Sequence, residues 1–375
     1  MKFKNICFLI QTPLSERDYK RFGAERLQSR GFDVFFMDLS QLVNPDYVSG
    51  AAKAYPYKNS ITVTSMPDFE VKLASFSGSA LFIDIIGGRP ETLFIYRAFT
   101  RLNLPYAELN SNTVPVPGPS LAGKIYRTLK QVPYDLALSL VRRPDFVVRG
   151  GSRNVKRLPY PSGKTELIWA HTLDYDLYLD HINGDHEAPA NGKYAVFLDE
   201  YFPFHPDYQL TGGNMNPFSD PDVYFNELNE MFGEIENKLG MTIIIAAHPR
   251  SNYAEVGNRF KGRKIVQSST LELTANASLI LAHASTSINF AVLFDKPVVF
   301  MMPEKVKHGG YGRFIRNFAD CLGKTPLDIQ TIRATNLKQE LTVNKSKYGS
   351  YKQNYIKTKG SPEKHYWDIV ADRLQ

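Results

Sequence analysis

The sequence predicts an α/β protein of two domains, each a parallel sheet covered by helices. Short apolar runs, continuous enough to be buried on both faces, alternate with segments of helical periodicity. The alternation lapses in the polar stretch INGDHEAPANGK at 182–193 and then restarts, as a linker or hinge would make it do. A chain of 375 residues also exceeds what one compact core accommodates.

The first unit opens with the apolar run NICFLIQT at 5–12. In the following segment Tyr19, Phe22 and Leu27 recur at helical spacing and Gly31 can end the helix. FDVFFMDLS at 32–40 is the next strand. ALFIDIIGG (80–88), PETLFIYRAFTRLN (90–103) and LPYAELN (104–110) repeat the strand, helix, strand order. A helical stretch at 119–141, broken by Pro133, leads to DFVVRGG at 145–151 and TELIWAH at 165–171.

The second half repeats the rhythm. YAVFLDEY at 194–201 is a strand, and 220–240 is a helix opening on an Asp-Pro cap. MTIIIAA (241–247), RKIVQ (263–267), SLILAH (278–283) and KPVVFMM (296–302) are further strands, with a helix in STSINFAVLFD at 285–295. Ser269 and Glu272 stand at capping-box spacing. The tail mixes lysines with tyrosines and ends in a helix from Pro362; we read it as a strap packing tyrosines and Trp367. The expected domains are 1–185, 186–337 and a basic, aromatic segment 338–375.

Composition narrows the function classes. The hydrophobic share of 43% and charged share of 22% suit a folded globular protein. Cys7 and Cys321, the only cysteines, exclude a disulfide framework and a cysteine-ligated zinc site. The short apolar run at the start argues against a cleaved signal, and no run approaches the ~20 residues that span a bilayer. A cytoplasmic protein is expected. The net charge of +7 suits a phosphorylated small molecule or peripheral contact with the inner, anionic membrane face. Nucleic acid is disfavoured, because the basic residues are scattered and no binding module is present.

Three constellations can carry chemistry. His248, in HPR, stands at the carboxyl end of a buried strand, where Pro249 fixes the exit of the chain and Arg250 suits an anion. Ser285, Thr286 and Ser287 lie between a strand and a helix, where hydroxyls cap the helix or donate to phosphate oxygens. Asp199 and Glu200 end another strand. Adjacent residues point to opposite faces, so at most one enters a cleft as a general base, with Asp199 placed ahead of Glu200.

An HP dipeptide after a buried strand, hydroxyls opening a helix that ends in KPVV, and an upstream DE together resemble the motif set of bacterial sialyltransferase-type and Kdo-transferase-type glycosyltransferases. The resemblance covers roughly residues 194–302. It implies a GT-B fold, two Rossmann-like lobes whose parallel sheets face an interdomain cleft. It also implies that His248 and the Ser285–Ser287 hydroxyls hold the phosphate of a CMP-activated acidic sugar. Asp199 or Glu200 would be the base acting on a surface glycan or lipid-linked acceptor. Tyr201 stands where that motif has glycine. Neither a metal nor another cofactor is called for. A His-Pro with a Ser/Thr pattern also occurs in CDP-glycerol glycerophosphotransferases, which remain an alternative, as does a GT-B-like binding protein without catalysis.

Weaker signals complete the reading. Gly87, Gly88 and Arg89 follow a strand and could line the acceptor side. His308 and Lys307 belong to a glycine-rich loop that could close over a donor. The DYD at 174–176 has the spacing of a metal-binding DxD but sits among structural leucines. His181, Asp185 and His186 read as solvated linker, the basic run 149–157 as a solvated loop, and His205 as ordering the loop beneath Asp199.

Overall fold

The computed structural model describes residues 2–45, 54–76, 78–118, 134, 136–153, 161–184, 192–205, 218 and 220–375. Most of the helical stretch expected at 119–141, the linker residues 185–191 and part of the basic run at 149–157 lie outside them. Two units result: one of 1–113, 119–173 and 356–375, the other of 114–118 and 174–355. The division thus falls at 173/174, ahead of the expected boundary at 185, because 174–183 fold as a helix, Asp174–Asn183, of the second unit.

The first unit is built on seven parallel strands: β1 Asn5–Ile10, β2 Asp33–Asp38, β3 Ser60–Thr62, β4 Ala80–Asp84, β5 Tyr106–Asn110, β6 Phe146–Arg149 and β7 Glu166–Trp169. Their order is β3-β2-β1-β4-β5-β6-β7. The period of two along β1 sends Ile6, Phe8 and Ile10 into one core and Cys7 and Leu9 into the other. Burial on both faces is why strands such as β1 and β4 read as unbroken apolar runs.

The long helix expected after β1 is two short ones, Glu16–Arg21 and Ala24–Ser29, parted at Gly23. Gly23 has φ +57°, and a Cβ there would lie 2.3 Å from Cδ1 of Trp367. The C-terminal helix Tyr366–Leu374 packs on this unit. Its Trp367 meets Phe8 edge-on at 5.1 Å and donates its indole N–H to the Arg21 carbonyl. Tyr348 and Tyr351 of the same tail are buried in the second unit. The tail therefore divides between the two cores.

The second unit has five parallel strands: β8 Tyr194–Leu198, β9 Thr242–Ala247, β10 Ile265–Gln267, β11 Leu279–Ala282 and β12 Val298–Phe300, ordered β10-β9-β8-β11-β12. The helix Pro221–Leu239 begins where the Asp220 carboxylate accepts the Asp222 and Val223 N–H groups, and ends at Gly240 with φ +63°. The capping box expected at Ser269 does not form. Its ψ of 30° departs from the extended conformation that a capping side chain needs, and it makes no side-chain cap bond.

Both sheets have a switch point, where consecutive connections run to opposite sides and leave a crevice beyond the strand ends. It falls between β1 and β4 in the first unit and between β8 and β11 in the second. Among the described residues no helix is long and apolar enough to cross a membrane.

Candidate active site

In the second unit the chain leaving β8 carries Asp199 and Glu200, that leaving β9 carries His248, and that leaving β11 carries Ser285 and Thr286. The switch point brings all of these except Asp199 together around a cavity of about 490 Å3. Glu200, His248, Ser285 and Thr286 line it, with Ala284 and His205 beside them. Val114, Phe202, Tyr311 and Phe314 form the apolar and aromatic remainder. This is the size and mixture of a small-ligand site.

The two carboxylates part as strand alternation requires. Asp199 is buried away from the cavity lining. It accepts hydrogen bonds from the Tyr253 hydroxyl at 2.8 Å, the Tyr201 amide at 2.9 Å and, at 3.4 Å, the His248 amide. Burial pushes its pKa up to about 6, against the lowering effect of those donors. Glu200 lines the cavity. Its carboxylate accepts from the Ala284 N–H at 3.0 Å and the Tyr311 hydroxyl at 2.9 Å. Desolvation by the surrounding protein pushes its pKa up to about 7; the two donors oppose this and the charge of Asp199 adds to it.

Tyr201 has φ +58°, the left-handed conformation that favours glycine. Its backbone therefore turns as glycine would at this position of the resembling motif. Its ring packs against Tyr253 and Phe204, at 5.2 and 5.7 Å between centroids.

His248 Nδ1 accepts the Arg250 backbone N–H at 3.2 Å, so the neutral ring carries its proton on Nε2 and donates from that side. Pro249 and Arg250 are exposed beyond the strand end and are not part of the lining. Ser285 Oγ accepts the Ser287 N–H at 3.2 Å, which ties down the turn leading into the helix Ile288–Leu293; Ser287 is the N-cap residue and its own hydroxyl makes no cap bond. Thr286 is exposed and lines the cavity, whereas Ser287 does neither. His283, the first residue after β11, is structural. Its Nδ1 donates to the Met301 carbonyl, Tyr224 donates to its Nε2, and burial lowers its pKa to about 4.

The other sequence candidates are not among the residues lining this cavity. His308 is exposed and outside its lining. Lys307 is held by Asp328 at 2.7 Å and Glu304 at 3.3 Å. The loop expected there begins the helix Gly310–Leu322, and Gly312 packs so tightly that a Cβ would lie 2.2 Å from the Val306 carbonyl oxygen. Gly87, Gly88 and Arg89 belong to the first unit, at the carboxyl end of β4 and its own switch point. There the Gly87 amide donates to Asp84 and the Arg89 guanidinium donates to Gln11. Asp174 and Asp176 share the first turn of a helix, where residues two apart project from different faces. Of the rest of that group, His181 is on the same helix and packs edge-on against Phe294, while Asp185 and His186 lie outside the described residues.

Sequence reasoning did not foresee Tyr311, Phe314 and Phe202 in this cavity, nor that His205 would line it. Tyr311 sits in the glycine-rich stretch that drew attention to His308, three residues earlier. The aromatic residues carried no distinguishing signal.

No protein-family model matches the chain, and no curated protein does. Solved structures do. The wall teichoic acid polymerase TagF superposes with a TM-score of 0.55 at 11% identity, over 99% of this chain and 88% of that one. MurG from Acinetobacter baumannii gives 0.47 at 11% identity, over 99% of both chains. The UDP-GlcNAc 2-epimerase from Methanocaldococcus jannaschii gives 0.47 at 10% identity, over 98% of this chain and 99% of that one. With the two all-parallel α/β units, the likeness to TagF shows a GT-B-like fold.

Proposed function

We propose that the chain is a metal-independent, inverting glycosyltransferase whose nucleotide-sugar donor is held by the second unit. The observation that carries this reading is the gathering of an imidazole N–H, two hydroxyls and a carboxyl group of near-neutral pKa around one cavity at a sheet switch point. In the proposed reaction Glu200 takes the proton of the acceptor hydroxyl. That oxygen attacks the anomeric carbon, and the bond from that carbon to phosphate breaks with its electron pair staying on the phosphate. A single displacement inverts the centre. His248, Ser285 and Thr286 stabilise the departing charge, the kind of preorganised electrostatic contribution that dominates many rate enhancements. A base with a pKa near the working pH is the effective one, which favours Glu200 over Asp199.

The motif resemblance supplies the finer part of the proposal: a CMP-activated acidic sugar of the sialic acid or Kdo type, passed to a bacterial surface glycan. Arg250 beside the HP turn is included on the donor side, and Gly87, Gly88 and Arg89 on the acceptor side. The rival reading is a glycerophosphotransferase using the same cavity, with attack at phosphorus. The fold shared with a wall teichoic acid polymerase gives that reading a precedent. Thermal-shift titration with CMP, CDP, UDP and GDP, followed by mass analysis of the product from a matching activated donor, tests both. Stabilisation by no nucleotide would refute the donor assignment, and a product heavier by glycerol phosphate would select the rival.

A further inference from the structure

Glu200 lies between two donors of different kinds. The Ala284 amide donates to its Oε1 at 3.0 Å and the Tyr311 hydroxyl to its Oε2 at 2.9 Å. An amide N–H can only donate, whereas a hydroxyl can turn from donating to accepting. Oε1 therefore stays an acceptor in both protonation states, and a proton reaching the carboxylate is accommodated at Oε2. Backbone and ring packing place Tyr311 there. It is the second residue of the helix Gly310–Leu322, whose first turn lies so close to the preceding one that a Cβ on Gly312 would stand 2.2 Å from the Val306 carbonyl oxygen. Its ring meets Phe202 edge-on at 5.3 Å and Phe314 at 6.2 Å between centroids. Burial raises the Glu200 pKa and the charge of Asp199, next to it in the chain, adds to this. The other titratable groups lining the cavity are His205, His248 and Tyr311 itself, with buried His283 beyond Phe202, 6.5 Å from it between ring centroids.

We propose that Tyr311 is the positioning residue for the base, its hydroxyl holding Oε2 ready to take the acceptor proton. The acceptor O–H bond breaks with its electron pair left on the acceptor oxygen, the proton joins Oε2, and the Tyr311 hydroxyl turns to accept from the new acid. Its donation to the ionised carboxylate is charge-assisted, and so about twice as strong as a bond between neutral groups. The hydroxyl therefore favours the ionised base and keeps it available nearer to neutral pH. This role rests on the transferase reading above and adds to it the oxygen that acts and the group that selects it.

Carbon-13 spectra of the full chain labelled at glutamate Cδ follow the titration of Glu200 without a substrate, its resonance being the one missing from Glu200→Gln. Wild type should show a midpoint near pH 7. Tyr311→Phe keeps the ring against Phe202 and Phe314 and should move the midpoint up by about one pH unit, a roughly tenfold gain in proton affinity. Phe314→Leu disturbs the same aromatic wall without touching the carboxylate and should leave the midpoint in place. With the activated donor that the nucleotide titration selects, Y311F turnover should be roughly fivefold low at pH 7 and regain most of the deficit by pH 9, as the base ionises. An unmoved midpoint in Y311F, an equal shift in Phe314→Leu, or a deficit equal at both pH values would overturn the role of Tyr311 and leave the transferase reading standing. Stabilisation by no nucleotide would instead overturn the transferase reading, whatever the Glu200 titration shows.

Discussion

Glu200→Gln isolates the contribution of the cavity carboxyl group without requiring a substrate. Glutamine is nearly isosteric here. Its oxygen can accept the Ala284 N–H, and its amide can donate to the Tyr311 oxygen once that hydroxyl rotates. The native carboxyl group has a pKa near 7 against an ordinary 4.5, so the folded state binds a proton more tightly than the unfolded state does. A carboxyl group shifted in this direction costs no stability below pH 4.5. Its cost grows as pH rises toward 7 and is then constant. At ~1.36 kcal/mol per pH unit the interval gives roughly 3 kcal/mol, and discounting for water that reaches the group through the cavity leaves about 1–2 kcal/mol. Urea unfolding of wild type and E200Q at pH 5 and pH 8 reads this as a difference of differences. The wild-type chain should lose about 1–2 kcal/mol more than the variant between the two pH values. Parallel pH dependences would refute the assignment of a near-neutral pKa to Glu200 and, with it, the reason for choosing it as the base.

His248→Ala should lower turnover by roughly 100-fold, as removal of one preorganised donor does, with the melting temperature unchanged, because the ring sits at a rim; nucleotide-release kinetics beside a thermal melt checks both. Ser285→Ala should weaken nucleotide binding and cost about 1 kcal/mol through the lost hydrogen bond to the Ser287 N–H, while Ser287→Ala should leave nucleotide affinity unchanged; titration calorimetry on the pair separates them. Gly23→Ala should destabilise the first unit by roughly 2–4 kcal/mol, the sum of a left-handed alanine and overpacking against Trp367. A lowered melting transition and red-shifted tryptophan emission would report it.

Much of the architecture was legible in the residues because parallel strands buried on both faces must be apolar throughout. All the strand runs named in the sequence appear; β3, Ser60–Thr62, is not among them, because its single apolar residue Ile61 stands between two exposed hydroxyl residues and makes no apolar run. The positions of His248, of Ser285 and Thr286, and of Asp199 and Glu200 at strand ends were legible for the same reason. Strand alternation allowed at most one carboxylate of the adjacent pair to face the cavity, and the expectation placed Asp199 ahead of Glu200. Tertiary structure decided for Glu200, through a hydroxyl 111 residues away on Tyr311 and an amide 84 residues away on Ala284. The same holds for His205 beside His248 and for Trp367 over Gly23, contacts between distant segments that no local period encodes. Local sequence determines burial and the points where strands end. Which side chains meet beyond those ends depends on strand order, a property of the whole sheet.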